Sequence, residues 1–219
     1  MYMLPTNSIM LVLILLVPAI AHAHIGIDPR EIAVQDQEMQ VTVSNHGAEP
    51  EYVSVTLSRL QNPGVPLEDE QLQAVSETAS PTLYATPFRM TLLPGQSKPI
   101  TLKPLSEIST EQVYRLDVRP EVANMRTGRS GRVGMVVIKI AHSGIVRQLP
   151  RRQHQAMQVL CSADGARILA TGNVRHRIEG AAIDGEVLEA FNVYPGTPRT
   201  LIGQHITVPG YPACTATPP

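Results

Sequence analysis

Between Val133 and Pro150 the chain reads VGMVVIKIAHSGIVRQLP, a long β-branched run broken by one lysine, Lys139, and closed by Arg147 and Pro150. Val and Ile lose side-chain freedom in a helix but pack well on a pleated surface, so the run predicts strand. It is longer than the usual strand of about 5–6 residues. A long apolar strand at a sheet edge invites pairing with another chain, and proteins normally disguise such edges. A chain that keeps one is equipped to pair with a partner.

The N-terminus constrains where that partner is met. Ile9 to Ile20 is almost wholly apolar and leads to Ala21-His22-Ala23, the layout of a secretory signal peptide with an A-x-A cleavage site. No Lys or Arg precedes the apolar core. That core is shorter than the about 20 residues a spanning helix needs. Residues 1–23 are therefore expected to be removed, leaving His24 first. Export also gives meaning to the two cysteines: in an oxidising compartment Cys161 and Cys214 allow one disulfide but not a disulfide scaffold, with a reactive thiol as the alternative. A formal net charge of −1 favours neither nucleic acid nor a strongly acidic partner.

Strand signals recur along the chain. Ile25–Val34 is followed by Met39–Ser44, in which Met39, Val41 and Val43 alternate with Gln40, Thr42 and Ser44. Tyr52–Leu60 alternates again, with Val53, Val55 and Leu57 on one face. Phe88–Leu93, Ile100–Leu105 and Val113–Val118 precede the long run, with Gly, Pro and Asn between them. This spacing predicts an all-β, immunoglobulin-like sandwich over 24–148. LPRR, Leu149–Arg152, reads as a hinge. Met157–Leu160, Ala166–Thr171, Val174–Ile178, Val187–Val193 and Thr200–Val208 predict a smaller β domain over 149–219, with an irregular tail.

No nucleophile elbow, H-E-x-x-H, phosphate loop or dinucleotide fingerprint is present, so the motifs give no support for an enzyme. No histidine stands at metal-ligand spacing. His24 offers an amine and an imidazole together, and with His46 or His142 beside it would make a copper site; this is the alternative reading. Arg30 and Lys139 or Arg147 are candidates for a pair of carboxylate donors, with a solvent-directed Lys139 as the plainer reading. Arg126, Arg129 and Arg132 read as a solvated loop.

One ordered set of pieces is more specific. Asn62-Pro63-Gly64, Thr86-Pro87, LLPGQSK at Leu92–Lys98, Val113-Tyr114-Arg115, IVRQLP at Ile145–Pro150 and TGNVR at Thr171–Arg175 resemble the periplasmic chaperones of the chaperone–usher pathway, nearest the alternate (α) branch. The resemblance implies two immunoglobulin-like domains in an L-shaped (boomerang) arrangement, no cofactor, pilus subunits and an outer-membrane usher as partners, and a capacity to self-associate through the edge strand. It implies donor-strand complementation, in which an edge strand completes a subunit's unfinished sandwich. Here the strand would be Val133–Ile140, presenting either Val136 and Ile138 or Val133, Met135 and Val137, since a period of two makes the sets mutually exclusive. It further implies a basic pair holding the subunit's C-terminal carboxylate, for which Arg30, Lys139 and Arg147 are the candidates.

Overall fold

Alternating apolar residues become strands because only a pleated ribbon sends every second side chain to one side. In the computed structural model, which describes residues 25–121 and 140–216, the first such strands are β1 (Ile25–Asp28), β2 (Glu31–Val34), β3 (Met39–Asn45) and β4 (Glu51–Leu60). They are followed by β5 (Leu72–Ala74), β6 (Leu83–Thr86), β7 (Arg89–Leu92), β8 (Ser97–Pro104), β9 (Gln112–Pro120) and β10 (His142–Gln148). One sheet runs β1-β3-β8-β6 and the other β2-β10-β9-β4-β5, with β7 also on β4. Val41, Val43, Val53, Val55, Leu57, Leu92, Ile100, Leu102, Leu116, Val118 and Val146 fill the space between them. Each such aliphatic side chain contributes about 1.5–3 kcal/mol by leaving water.

The structure corrects Ile25–Val34 as a single strand. β1 pairs antiparallel with β3 in one sheet, whereas β2 pairs parallel with β10 in the other. The crossing falls at Pro29, which has no N–H to donate to a ladder, so the strand is free to change partners there. Arg30 is the exposed residue at this corner.

The second unit holds β11 (Met157–Ser162), β12 (Gly165–Ala170), β13 (His176–Ile178), β14 (Ala182–Ile183), β15 (Glu186–Val187), β16 (Phe191–Val193), β17 (Arg199–Ile202), β18 (His205–Thr207) and β19 (Cys214–Thr215). Its separate core contains Ala166, Ile168, Ile178, Phe191, Val193, Leu201, Ile206 and Val208. Cys161 and Cys214 form a disulfide with Cα atoms 5.3 Å apart. The tail is therefore not wholly irregular: Cys214 pairs with Ile206, and the bridge ties that strand to β11. The architecture is all-β, two sandwich-like units in series.

Candidate functional site

β10 decides what this scaffold can offer a partner. Along its whole length it pairs with β9, from His142 opposite Val118 to Gln148 opposite Gln112. On its other side β2 covers only Ile145–Gln148. The Arg30 carbonyl accepts the Ile145 N–H at 2.7 Å and closes that ladder. Gly144 makes the close approach possible, because a Cβ there would lie 3.1 Å from the Arg30 oxygen. Among the described residues, His142–Gly144 thus keep one flank without a strand partner, and Ile140 just before them is 62% exposed. The strand expected over Val133–Pro150 is accordingly sealed on both flanks only in its C-terminal part, and it ends at Gln148 because Pro150 cannot donate. Val133, Met135, Val136, Val137, Ile138 and Lys139 lie outside the described residues, as do Arg126, Arg129, Arg132, His24 and the signal segment.

Alternation divides the side chains of β10 between two faces. Gly144, Val146 and Gln148 point into the first sandwich, Ile145 and Arg147 outward. The outward face is where the second unit docks. Leu60, Val113 and Ile145 line up across β4, β9 and β10, and Tyr194 covers them. Gly64 of the Asn-Pro-Gly turn approaches the Tyr194 segment from the side, with φ at 95° and space for a Cβ limited by the Asn192 carbonyl and the Tyr194 ring, both 3.3 Å away.

Beside this apolar patch sits a group of charges. Glu111, whose side chain is fully buried, accepts from Arg147 Nε at 2.6 Å and from the Arg175 backbone N–H at 2.6 Å. Glu31 Oε1 receives Arg175 Nη2 at 2.7 Å and lies 3.7 Å from Arg147 Nη1. Arg175 Nη1 also reaches the Tyr194 hydroxyl at 3.5 Å. Burial works against the charge on Arg175, but Tyr194 and Glu31 outweigh it and hold the guanidinium above its ordinary pKa. Asn173 completes the junction: its side chain donates to the Ser109 and Arg152 carbonyls at 3.0 and 2.8 Å and accepts the His154 N–H at 2.7 Å.

Arg147, one candidate anchor, is therefore a junction residue with 15% side-chain exposure and two carboxylates around it. Arg30 is exposed at the strand corner, beside His142, whose pKa is lowered by burial and by the Arg30 charge. The residue of β2 that faces the junction is Glu31, not Arg30. Glu31, Glu111, Arg175 and Tyr194 escaped sequence reasoning, although Arg175 closes the TGNVR motif. His46 lies over Gly26 at the start of β1, and among the described residues no group of three His, Cys, Asp or Glu side chains is placed to hold a metal.

No protein-family model matches the chain. It is 25% identical over 200 residues to a CS1 fimbrial protein of Escherichia coli, an alignment that covers 84% of this chain and 82% of that protein. Among solved structures it superposes on the class 5 fimbriae chaperone CfaA with a TM-score of 0.66 at 19% identity, covering 89% of this chain and 99% of the other. For a chaperone–tip adhesin complex of CFA/I fimbriae biogenesis the TM-score is 0.68 at 20% identity, over 90% and 100% of the two chains. A SafB chaperone in complex with SafA pilin from Salmonella enterica gives 0.59 at 11% identity, over 87% and 90%. The fold is that of the two-domain fimbrial chaperones, the alternate branch among them.

Proposed function

We propose that this chain is a periplasmic chaperone that binds fimbrial subunits by donor-strand complementation and delivers them to an outer-membrane usher. In this reading residues 1–23 direct export, 24–148 form the chaperone domain, and 149–219 form the small second domain. The observation that carries it is the open flank of β10 at His142–Gly144, continuous with an exposed Ile140 and with the apolar run 133–139. A fold shared with chaperones solved together with a tip adhesin and a pilin supports the same partner class. No nucleotide is needed, because the folding energy of a completed subunit drives its release to the next one.

The alternation of β10 bears on which side chains serve. Counted back in twos from Val146 and Gly144, the series is Ile140, Ile138, Val136; the other series is Lys139, Val137, Met135, Val133, on the side of Ile145 and Arg147. This supports Val136, Ile138 and Ile140 as the groove-filling set. Three such side chains gain about 1.5–3 kcal/mol each on burial, enough to dominate the affinity after ordering costs. Arg30, Lys139 and Arg147 remain the candidate cations for the subunit's terminal carboxylate.

The test is co-expression with a class 5 fimbrial subunit lacking its own donor extension. A one-to-one complex is expected, and Val136→Asp with Ile138→Asp should abolish it while Met135→Asp with Val137→Asp leaves most of it. No complex with the unaltered chain would refute the chaperone reading; the opposite pattern between the two pairs would refute the choice of face.

A further inference from the structure

At the domain junction three donors converge on a single exposed carboxylate. Arg175 Nη2 and Arg147 Nη1 stand 2.7 and 3.7 Å from Glu31 Oε1, and the Tyr194 hydroxyl lies beside Arg175. The surroundings are built rather than accidental. Arg147 and Arg175 have side-chain exposures of 15% and 17%, and Glu111 holds both by a second set of bonds, through Arg147 Nε and through the Arg175 backbone. Those bonds fix the guanidinium groups independently of Glu31. Glu31, in contrast, is 49% exposed and meets the site from its solvent side. A planar guanidinium presents paired donors that suit a carboxylate, whichever molecule carries it.

The site also lies where a bound strand would lead. Glu31 is opposite Ile145 in the parallel pairing of β2 with β10, one residue past the open flank at His142–Gly144. A strand that added to that flank would end against the corner of β2, close to Glu31. This inference rests on the chaperone reading.

We propose that Arg147 and Arg175, with Tyr194, form a binding site for the terminal carboxylate of an extended peptide, and that Glu31 fills it in the free protein as an internal stand-in. Arg175 is then an anchoring residue outside the set expected from the sequence. A bound carboxylate displaces Glu31 into solvent, while Glu111 keeps the two guanidinium groups in place. Glu31 thereby lowers affinity for any peptide that fails to add its own strand contacts.

The probe is an N-acetylated tripeptide with a free C-terminus, compared with its carboxamide, titrated into the full mature chain while the arginine side-chain Nε signals are followed by NMR. Glu31→Gln preserves shape and removes the competing charge; the free acid should then bind about fivefold more tightly than to the unaltered chain, the scale of a partly exposed ion pair. The carboxamide should shift neither Arg175 nor Arg147, and Arg175→Gln should lose the response to the free acid. Equal binding by the unaltered chain and Glu31→Gln, or a response confined to Arg30, would overturn the proposal. With a fimbrial subunit as ligand, a normal complex that ignores both Glu31→Gln and Arg175→Gln would sink this site alone. A missing complex in the unaltered chain sinks the chaperone reading instead.

Discussion

Replacing Glu111 by Ala asks how strongly the two units are tied. Its side chain is fully buried and makes two charge-assisted bonds of 2.6 Å, one to Arg147 Nε and one to the Arg175 N–H. Such bonds contribute about 1.5–3 kcal/mol each. Arg147, at 15% exposure, would retain only Glu31 at 3.7 Å as counter-charge, and Glu31 is half in solvent. Breaking a buried pair from one side costs about 3–5 kcal/mol, and the remaining Glu31 contact places the expected loss near the lower end, about 3 kcal/mol. Because both bonds cross between the units, the loss should appear as decoupling. Urea unfolding followed by far-UV circular dichroism should change from one transition to two, and tyrosine fluorescence should report an early change from Tyr194, since the chain has no Trp. Glu111→Leu combined with Arg147→Met should recover most of the stability, because two apolar groups of similar shape leave no stranded charge. A loss below about 1 kcal/mol for Glu111→Ala, or a double variant no better than the single one, would show that packing of Tyr194 on Leu60, Val113 and Ile145 carries the junction and that the charges do not.

Two further outcomes test the surroundings of that junction. At Gly172 a Cβ would fall 2.1 Å from the His154 carbonyl oxygen and 2.6 Å from the Ala156 nitrogen, so Gly172→Ala should destabilise by about 3 kcal/mol and lower the thermal midpoint of the second unit first; a midpoint like that of the unaltered chain would refute the crowding argument. Cys161→Ser with Cys214→Ser opens a bridge across a separation of 53 residues, and loop-closure entropy sets the loss at about 4 kcal/mol; calorimetry showing an unchanged second transition would exclude that account.

How much was legible in the sequence depends on how local each signal is. The alternation in Met39–Ser44 and Tyr52–Leu60 reports a buried face directly, and Val41, Val43, Val53, Val55 and Leu57 are indeed core residues. Leu60 already departs from it: it is buried on the opposite face, against Tyr194, and no pattern inside its own strand announces a covering domain. Pro29 was visible as a missing donor, yet not as the point where the chain leaves one sheet for the other, because that depends on β3 and β10. The weak segments Leu72–Ala74, Leu83–Thr86 and Cys214–Thr215 are strands only because β4, β8 and β18 receive them.

The same reasoning explains the charges. Arg147 was conspicuous as a cation in an apolar run, and a cation alone suggests an anion from outside. Its buried partner stands 36 residues earlier, at Glu111, and the companion guanidinium is Arg175 in the next domain. Sequence shows that a charge sits on a hydrophobic face; it does not show whether the fold has already neutralised it. Here the neutralisation is uneven. Glu111 is enclosed and permanent, whereas Glu31 is half-exposed and replaceable. A junction with one fixed and one exchangeable carboxylate can hold two domains in register and still offer its arginines to an incoming chain end, so the residues that stabilise the fold and those that greet a partner need not be different ones.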